Sequence, residues 1–448
     1  MQDPDRHPFV THPHRTVLAL SFPVLLSLVA EPFTGLVDTA FIARLGSVEV
    51  AGLGAAAAFL SSILWVFLFL GVAAHTEIAH AYGAARPEHA RRATGVAVLL
   101  SLLLGIAFSL IVWPLLPAAA AAMGAKGKVY EVAVTYLEIR LLGAPAAFIL
   151  MTGFGALRGI QDMRTPLWIS VGINALNILL DPLLIFGAGP IPPLGVSGAA
   201  WASTTTQWLG ALCLLRALHV RFGLLLTLQW NIVRRMLSVG RDMIVRTASL
   251  SLFLLLCARA ATRIDPETGA AHQAIRQMWI FTALFLDAYA ASAQSLIGYF
   301  FGAGRLALAR RVASISALWS VGTGLALAVA MILGQGLVAR ALVPQEAWEL
   351  FAGAWLVSAV FQPINGLGFI TDGIHWGTGD FAYLRDAMLC VTVIALGGLF
   401  WMEASSGGSL VGIWMLTGVW ISLRALVGAL RVWPGIGRAP LRKVNSKY

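Results

Sequence analysis

Thr76-Glu77-Ile78-Ala79-His80-Ala81-Tyr82-Gly83-Ala84-Ala85-Arg86, followed by Arg91-Arg92, returns 219 residues later as Ser295 to Gly302-Ala303-Gly304-Arg305 with Arg310-Arg311. A second set recurs at an offset of 218: Pro145, Gly155, Gly159 and Asp162 reappear as Pro363, Gly373, Gly377 and Asp380. Offsets that agree within one residue, each near half of the 448-residue chain, describe one fold written twice. Apolar residues make up 58% of the chain and charged residues 12%, at a mean hydropathy of +0.81. Soluble domains carry about 25% charged residues. Ala93 to Ala125 and Val312 to Ala339 hold no charge at all, and each exceeds the roughly 20 residues a helix needs to cross a bilayer. The chain reads as an all-α integral membrane protein, and two like halves around a shared centre point to a transporter.

Hydropathy predicts twelve transmembrane helices, near residues 16–43, 48–80, 93–117, 131–157, 165–188, 194–216, 243–263, 275–299, 312–339, 350–374, 384–402 and 408–431. They fall into an N-lobe (16–216) and a C-lobe (243–431) of six spans each, a parallel internal repeat, joined by a basic linker (217–242). Residues 1–15, with Pro4, Pro8 and Pro13, read as a disordered tail without a signal-peptide pattern, and 432–448 as a basic tail. With both termini cytoplasmic, 21 Lys and Arg fall on the cytoplasmic side and 6 on the other, as the positive-inside rule demands. The net charge of +10 then belongs to topology and anionic lipid, and no nucleic-acid partner is expected. Cys213, Cys257 and Cys390 all lie in apolar spans, so no disulfide framework is expected.

An ionisable side chain in the bilayer core costs about 2.5–3.5 kcal/mol on insertion scales, so each needs a reason to be there. Span five is the most informative. Ser170, Asn174, Asn177 and Asp181 follow spacings of 4, 3 and 4 and share one helical face, which lipid cannot accept. Pro182 follows, and its ring removes a backbone donor and loosens the turn near Ile178. Span one supplies a second polar face, Glu31, Thr34 and Asp38, with Pro23 and Pro32 placed to bend the helix. Two carboxylates facing one cavity cannot both ionise cheaply, so the Asp38–Asp181 pair either binds a proton or holds a monovalent cation with the Asn177 carbonyl and a hydroxyl. Ser203 or Thr204–Thr206 of span six could supply that hydroxyl, or simply bond to their own helix. In the second half, Asp287 of span eight, and Asn365 and Asp372 of span ten, are candidates for a cationic substrate, for a second proton, or for pairing with Arg276. Glu77 is a further acid in span two.

Other chemistries find no footing. His75 and His80 are five apart with the Glu misplaced for a zinc helix, and no phosphate-binding loop of the Walker type occurs. No nucleophile–base pair is present, so neither an enzyme, a metal nor a cofactor beyond the coupling ion is expected.

Four ordered landmarks carry a resemblance: Pro23 with Glu31-Pro32-Phe33-Thr34-Gly35-Leu36-Val37-Asp38-Thr39-Ala40; Leu157-Arg158-Gly159-Ile160-Gln161-Asp162 with Asn174, Asn177 and Asp181-Pro182; Gly195-Val196-Ser197-Gly198-Ala199-Ala200; and Asp372-Gly373-Ile374 with Gly377-Thr378-Gly379-Asp380. Over residues 15 to 432 the chain resembles the multidrug and toxic compound extrusion (MATE) transporters, in their DinF-like branch. The resemblance implies twelve helices in two lobes, alternating access, and export of amphipathic or cationic molecules driven by inward H+ or Na+. It also implies an N-lobe coupling site at Asp38, Asn177 and Asp181, with Ser203 as the span-six hydroxyl. Span seven offers Arg246 where the NorM-like branch uses an acid, which favours protons over Na+. The protein is thus expected to be a monomeric, multi-pass inner-membrane antiporter, with Na+ coupling or lipid-linked precursor flipping as alternatives.

Overall fold

The computed structural model describes residues 4–406 and 408–442, so the end of the expected C-terminal tail lies outside the described residues. The described residues form helices joined by irregular connections, and no strand occurs among them. Among the described residues, nine helical stretches are long and apolar enough to cross a membrane: α1 (Pro13–Ile42), α2 (Ser47–Gly83), α3 (Pro87–Ala122), α5 (Arg164–Ile185), α7 (Trp230–Ile264), α8 (Pro266–Gly302), α9 (Leu306–Leu342), α11 (Phe381–Ser405) and α12 (Leu410–Val432). Two further spans are bent pairs, α4 (Lys128–Leu141 and Ala144–Gly159, 52°) and α10 (Gln345–Val360 and Gln362–Thr378, 47°). The twelfth is α6 (Val196–Phe222), whose polar run from Ser203 to Gln207 keeps its hydropathy below that of the rest.

The duplication is visible in packing. Pro145 and Pro363 both sit in the first turn after the bend of α4 and α10, where a missing N–H costs no helical bond. Each helix is central in its own lobe, and its glycines admit the same neighbours. A Cβ on Gly155 would stand 2.1 Å from the Gly71 carbonyl oxygen, and one on Gly373 would stand 2.3 Å from that of Ala290. The facing pair repeats too: Gly105 closes on Pro145 and Gly324 on Pro363. Such close backbone approach lets helices associate by packing where no hydrophobic drive exists between them.

Contact grouping divides the chain into Leu26–Gly240 and a unit made of the chain up to Leu25 plus Arg241 onward. The N-lobe core gathers Ile78, Val96, Ile149, Leu157, Leu214 and Met236, and the C-lobe core gathers Phe253, Phe351, Trp355 and Trp420.

Two expected boundaries change. The tail is not loose: Pro8–Thr11 is helical, Phe9 is fully buried against Phe300 at 5.8 Å, and Asp5 pairs with Arg305. Three prolines at helix starts nucleate structure here instead of preventing it. The linker is also mostly helix, with only 223–229 irregular between α6 and α7. Ile232, Val233 and Met236 share one face and bury it in the N-lobe core, so the basic stretch is an amphipathic extension of α7. Finally, α1 and α5 run as continuous helices through Pro23, Pro32 and Pro182.

Candidate functional site

The N-lobe site forms where α1, α4, α5 and α6 present their polar faces. Ser170 Oγ donates to the Ser27 carbonyl at 3.4 Å, which sets the stripe of α5 against α1. Lower on the same stripe, Asn177 is 3% exposed and Asp181 is fully buried. The Asn177 amide nitrogen donates to Asp38 Oδ1 at 3.0 Å, and its oxygen accepts from the Ser203 N–H at 3.1 Å and hydroxyl at 3.2 Å. This orientation of the amide satisfies both its ends.

Asp181 is different. Neither of its buried oxygens meets a protein hydrogen-bond donor among the described residues, and what stands within hydrogen-bonding reach is the carboxyl of Asp38. Two carboxyl groups in that position need a proton, or a cation, between them. Asp38, Asn177, Asp181 and Ser203, from three separate helices, thus lie together, the grouping that the family resemblance implies.

The other supporting residues do not join them. Asn174 Nδ2 donates to the Ser170 carbonyl at 2.8 Å, Thr34 Oγ1 donates to the Ala30 carbonyl at 3.1 Å, and Glu31 is exposed. Thr204 and Thr206 also bond to backbone, at Ile139 and Ala202, leaving Ser203 as the hydroxyl on the site. Asn174, Thr34 and Thr206 thus bond back to their own turns, as short hydroxyl and amide side chains commonly do, while Thr204 crosses to α4.

The first half of α4 adds Arg140, which hydropathy marks as a charge inside span four, and Tyr136, which hydropathy does not reveal. Tyr136 and Arg140, four apart and so on one face, both act electrostatically with Asp38. Arg140 also donates to Gln207 Oε1 at 3.1 Å. The i, i+4 pairing of an arginine with a tyrosine in an apolar span was the available signal.

In the C-lobe, Asp372 is 1% exposed and its Oδ2 accepts from both Arg246 and Arg424. Arg276, one of the alternatives expected for Asp287 or Asp372, instead lies 3.3 Å from Gln273. Arg246 also sits over Trp376 at 5.5 Å and Arg424 over Phe369 at 5.1 Å. Asp372 is therefore a counter-ion shared by two guanidiniums and has no spare charge for a cation. Asp287 lies close enough to be attracted by Arg246, and Asn365 reaches Gln362 at 3.5 Å. Glu77 is likewise paired, with His89 at 2.7 Å and Arg235 at 3.0 Å.

The MatE family model matches residues 23–183 and 243–400, one stretch in each half. Protein DETOXIFICATION 44, chloroplastic, of Arabidopsis thaliana is 30% identical over 433 residues, covering 93% of this chain and 81% of the relative. DNA damage-inducible protein F of Escherichia coli is 29% identical over 442 residues, covering 93% of this chain and 92% of the relative. A crystal structure of MATE in the bent conformation superposes with a TM-score of 0.86 at 22% identity, covering 94% of this chain and 95% of the other, a likeness of fold. With both halves matched by one family model, the chain belongs to the MatE family and is a multi-pass membrane efflux transporter of the multidrug and toxic compound extrusion type.

Proposed function

We propose that this transporter exports amphipathic small molecules in exchange for protons, by alternating access, with the proton carried between Asp38 and Asp181. The observation that supports this is the buried Asp181 carboxyl whose hydrogen-bonding neighbour is another carboxyl. A proton satisfies that pair directly. A Na+ ion would need further oxygens, yet the Asn177 oxygen is engaged by Ser203 and the Arg140 guanidinium already attracts Asp38. Losing the proton leaves two negative charges in contact, so the α1 and α5 faces repel; gaining it lets them close. Protonation thus biases the lobe between two packings, and a proton crossing 100 mV supplies about 2.3 kcal/mol for the cycle. The protein sits in the cytoplasmic membrane with both termini cytoplasmic, as its Lys and Arg distribution favours, and works as a monomer among lipids. Because Asp372 is neutralised by two arginines, the substrate property retained is amphipathic character and not positive charge.

The test is efflux from proteoliposomes under separately imposed pH and Na+ gradients. Drive by the pH gradient alone, abolished in Asp38→Asn and Asp181→Asn, is the expected result. Drive by Na+ alone would move the assignment to a sodium cage.

A further inference from the structure

The C-lobe unit holds a cavity of about 670 Å³ that the coupling site does not use. Its walls include Arg15 and Phe22 of α1, Phe285 and Tyr289 of α8, and Thr323 of α9. That volume lies within the range of drug-sized ligand sites, about 300–1,000 Å³. Phe22 is 61% exposed, and Phe285 is braced edge-on by Phe281 at 5.6 Å, so aromatic surface is presented for stacking. Thr323 Oγ1 donates to the Tyr289 phenol oxygen at 3.1 Å, which leaves the phenol O–H to donate to a ligand.

The charge of the lining has one sign. Arg15 is its charged residue, and no carboxylate is among the lining side chains. Asp287, between lining residues on α8, is drawn to Arg246 and takes no part in the wall. Deeper in the lobe both acids are already engaged by arginines, Asp372 by Arg246 and Arg424 and Asp287 by Arg246, so neither is left over for a cation. A cationic ligand in this cavity would meet a guanidinium with nothing to offset it. An anion would gain a charge-assisted hydrogen bond from the fork of Arg15.

We infer that this cavity binds planar aromatic anions, with Arg15 and the Tyr289 hydroxyl on the carboxylate or sulfonate and Phe22 and Phe285 against the ring. The inference rests on the exporter reading only for its transport consequence; binding itself requires no proton gradient. It assigns opposite polarity to two sites in one chain: acids that carry the coupling proton in the N-lobe, and a guanidinium that selects the cargo in the C-lobe.

The experiment measures binding of naphthalene-2-sulfonate and of 2-naphthyltrimethylammonium to the purified full-length protein in neutral-lipid nanodiscs, by calorimetry without a gradient. The two probes share a ring and differ in sign. The sulfonate is expected to bind at least about tenfold tighter. Arg15→Gln should remove most of that preference, Arg15→Lys should keep it, and Phe285→Ala should weaken both probes alike. Arg15 is exposed, so its variants test charge without disturbing the core. Equal binding of the ammonium probe, or an unchanged sulfonate affinity in Arg15→Gln, overturns the assignment. So does loss of sulfonate binding when phosphatidylglycerol is added to the disc, which would make a lipid headgroup the occupant. Sulfonate binding that persists in Asp38→Asn while its pH-driven transport is lost supports both readings; binding without any pH-driven transport sinks only the proton reading.

Discussion

Arg431 Nε lies 2.8 Å from a carboxylate oxygen of Asp380, and the first half of the chain holds the same clasp between Arg221 and Asp162 at 3.2 Å. In both halves the aspartate follows the fourth or tenth span and the arginine ends the sixth or twelfth. The neighbouring arginines repeat as well: Arg91 donates to the Gly223 carbonyl at 2.7 Å and Arg310 to the Trp433 carbonyl at 2.8 Å. The duplicated motif is therefore a device that ties the last helix of each lobe to its centre.

The two clasps should differ in strength. Arg431 is 12% exposed and also stacks on Tyr383 at 4.4 Å, whereas Arg221 is 56% exposed. Asp380→Asn is expected to cost about 2 kcal/mol, and Asp162→Asn under about 1 kcal/mol. Thermal unfolding in detergent would decide, and equal losses would show that burial does not set the difference.

Asp181→Asn separates stability from transport. The amide can donate to Asp38 without a shared proton, so the variant should melt at or above the parent temperature at alkaline pH while pH-driven efflux falls to background. A melting temperature that drops while transport persists would mean the carboxyl pair is structural.

The C-lobe triad predicts an asymmetric response. Asp372→Asn leaves two buried guanidiniums without their counter-ion and should destabilise by about 3–5 kcal/mol. Arg424→Met keeps the Arg246–Asp372 pair one to one and should cost clearly less. If Arg424→Met proved the more damaging, the second arginine would be the structural partner.

Helix approach gives a paired control. Gly373→Ala drives a Cβ into the Ala290 carbonyl and should lower stability sharply, as should Gly155→Ala against Gly71. Gly172, on α5, has nothing within 4 Å, so Gly172→Ala should stabilise by about 0.4–1 kcal/mol. Comparable melting temperatures for Gly373→Ala and Gly172→Ala would contradict the packing described.

How much could be read beforehand follows from the range of each signal. Helical period assigns Ser170, Asn177 and Asp181 to one face, because side-chain direction within a helix is a local property. It also assigns Asn174 to that face, yet Asn174 turned to its own backbone. Period says which residues share a face but not which neighbour answers each of them. For the same reason Asp372 could be flagged as costly in the bilayer, while its partners on α7 and α12 lie 126 and 52 residues away and could not be named.

The sequence alone determined the membrane class, the twelve spans, the duplication, and the shared faces of Asn177 with Asp181 and of Thr34 with Asp38, since each rests on composition, period or an internal repeat, while Ser203 was singled out among the span-six hydroxyls only through the family resemblance. Tertiary structure decided that Tyr136 and Arg140 face that set, that Phe9 anchors the N-terminal segment, and that a cavity with Arg15 as its charged residue opens beside Phe285. Those outcomes depend on how helices rotate and close on one another, which is settled by packing between residues far apart in the chain.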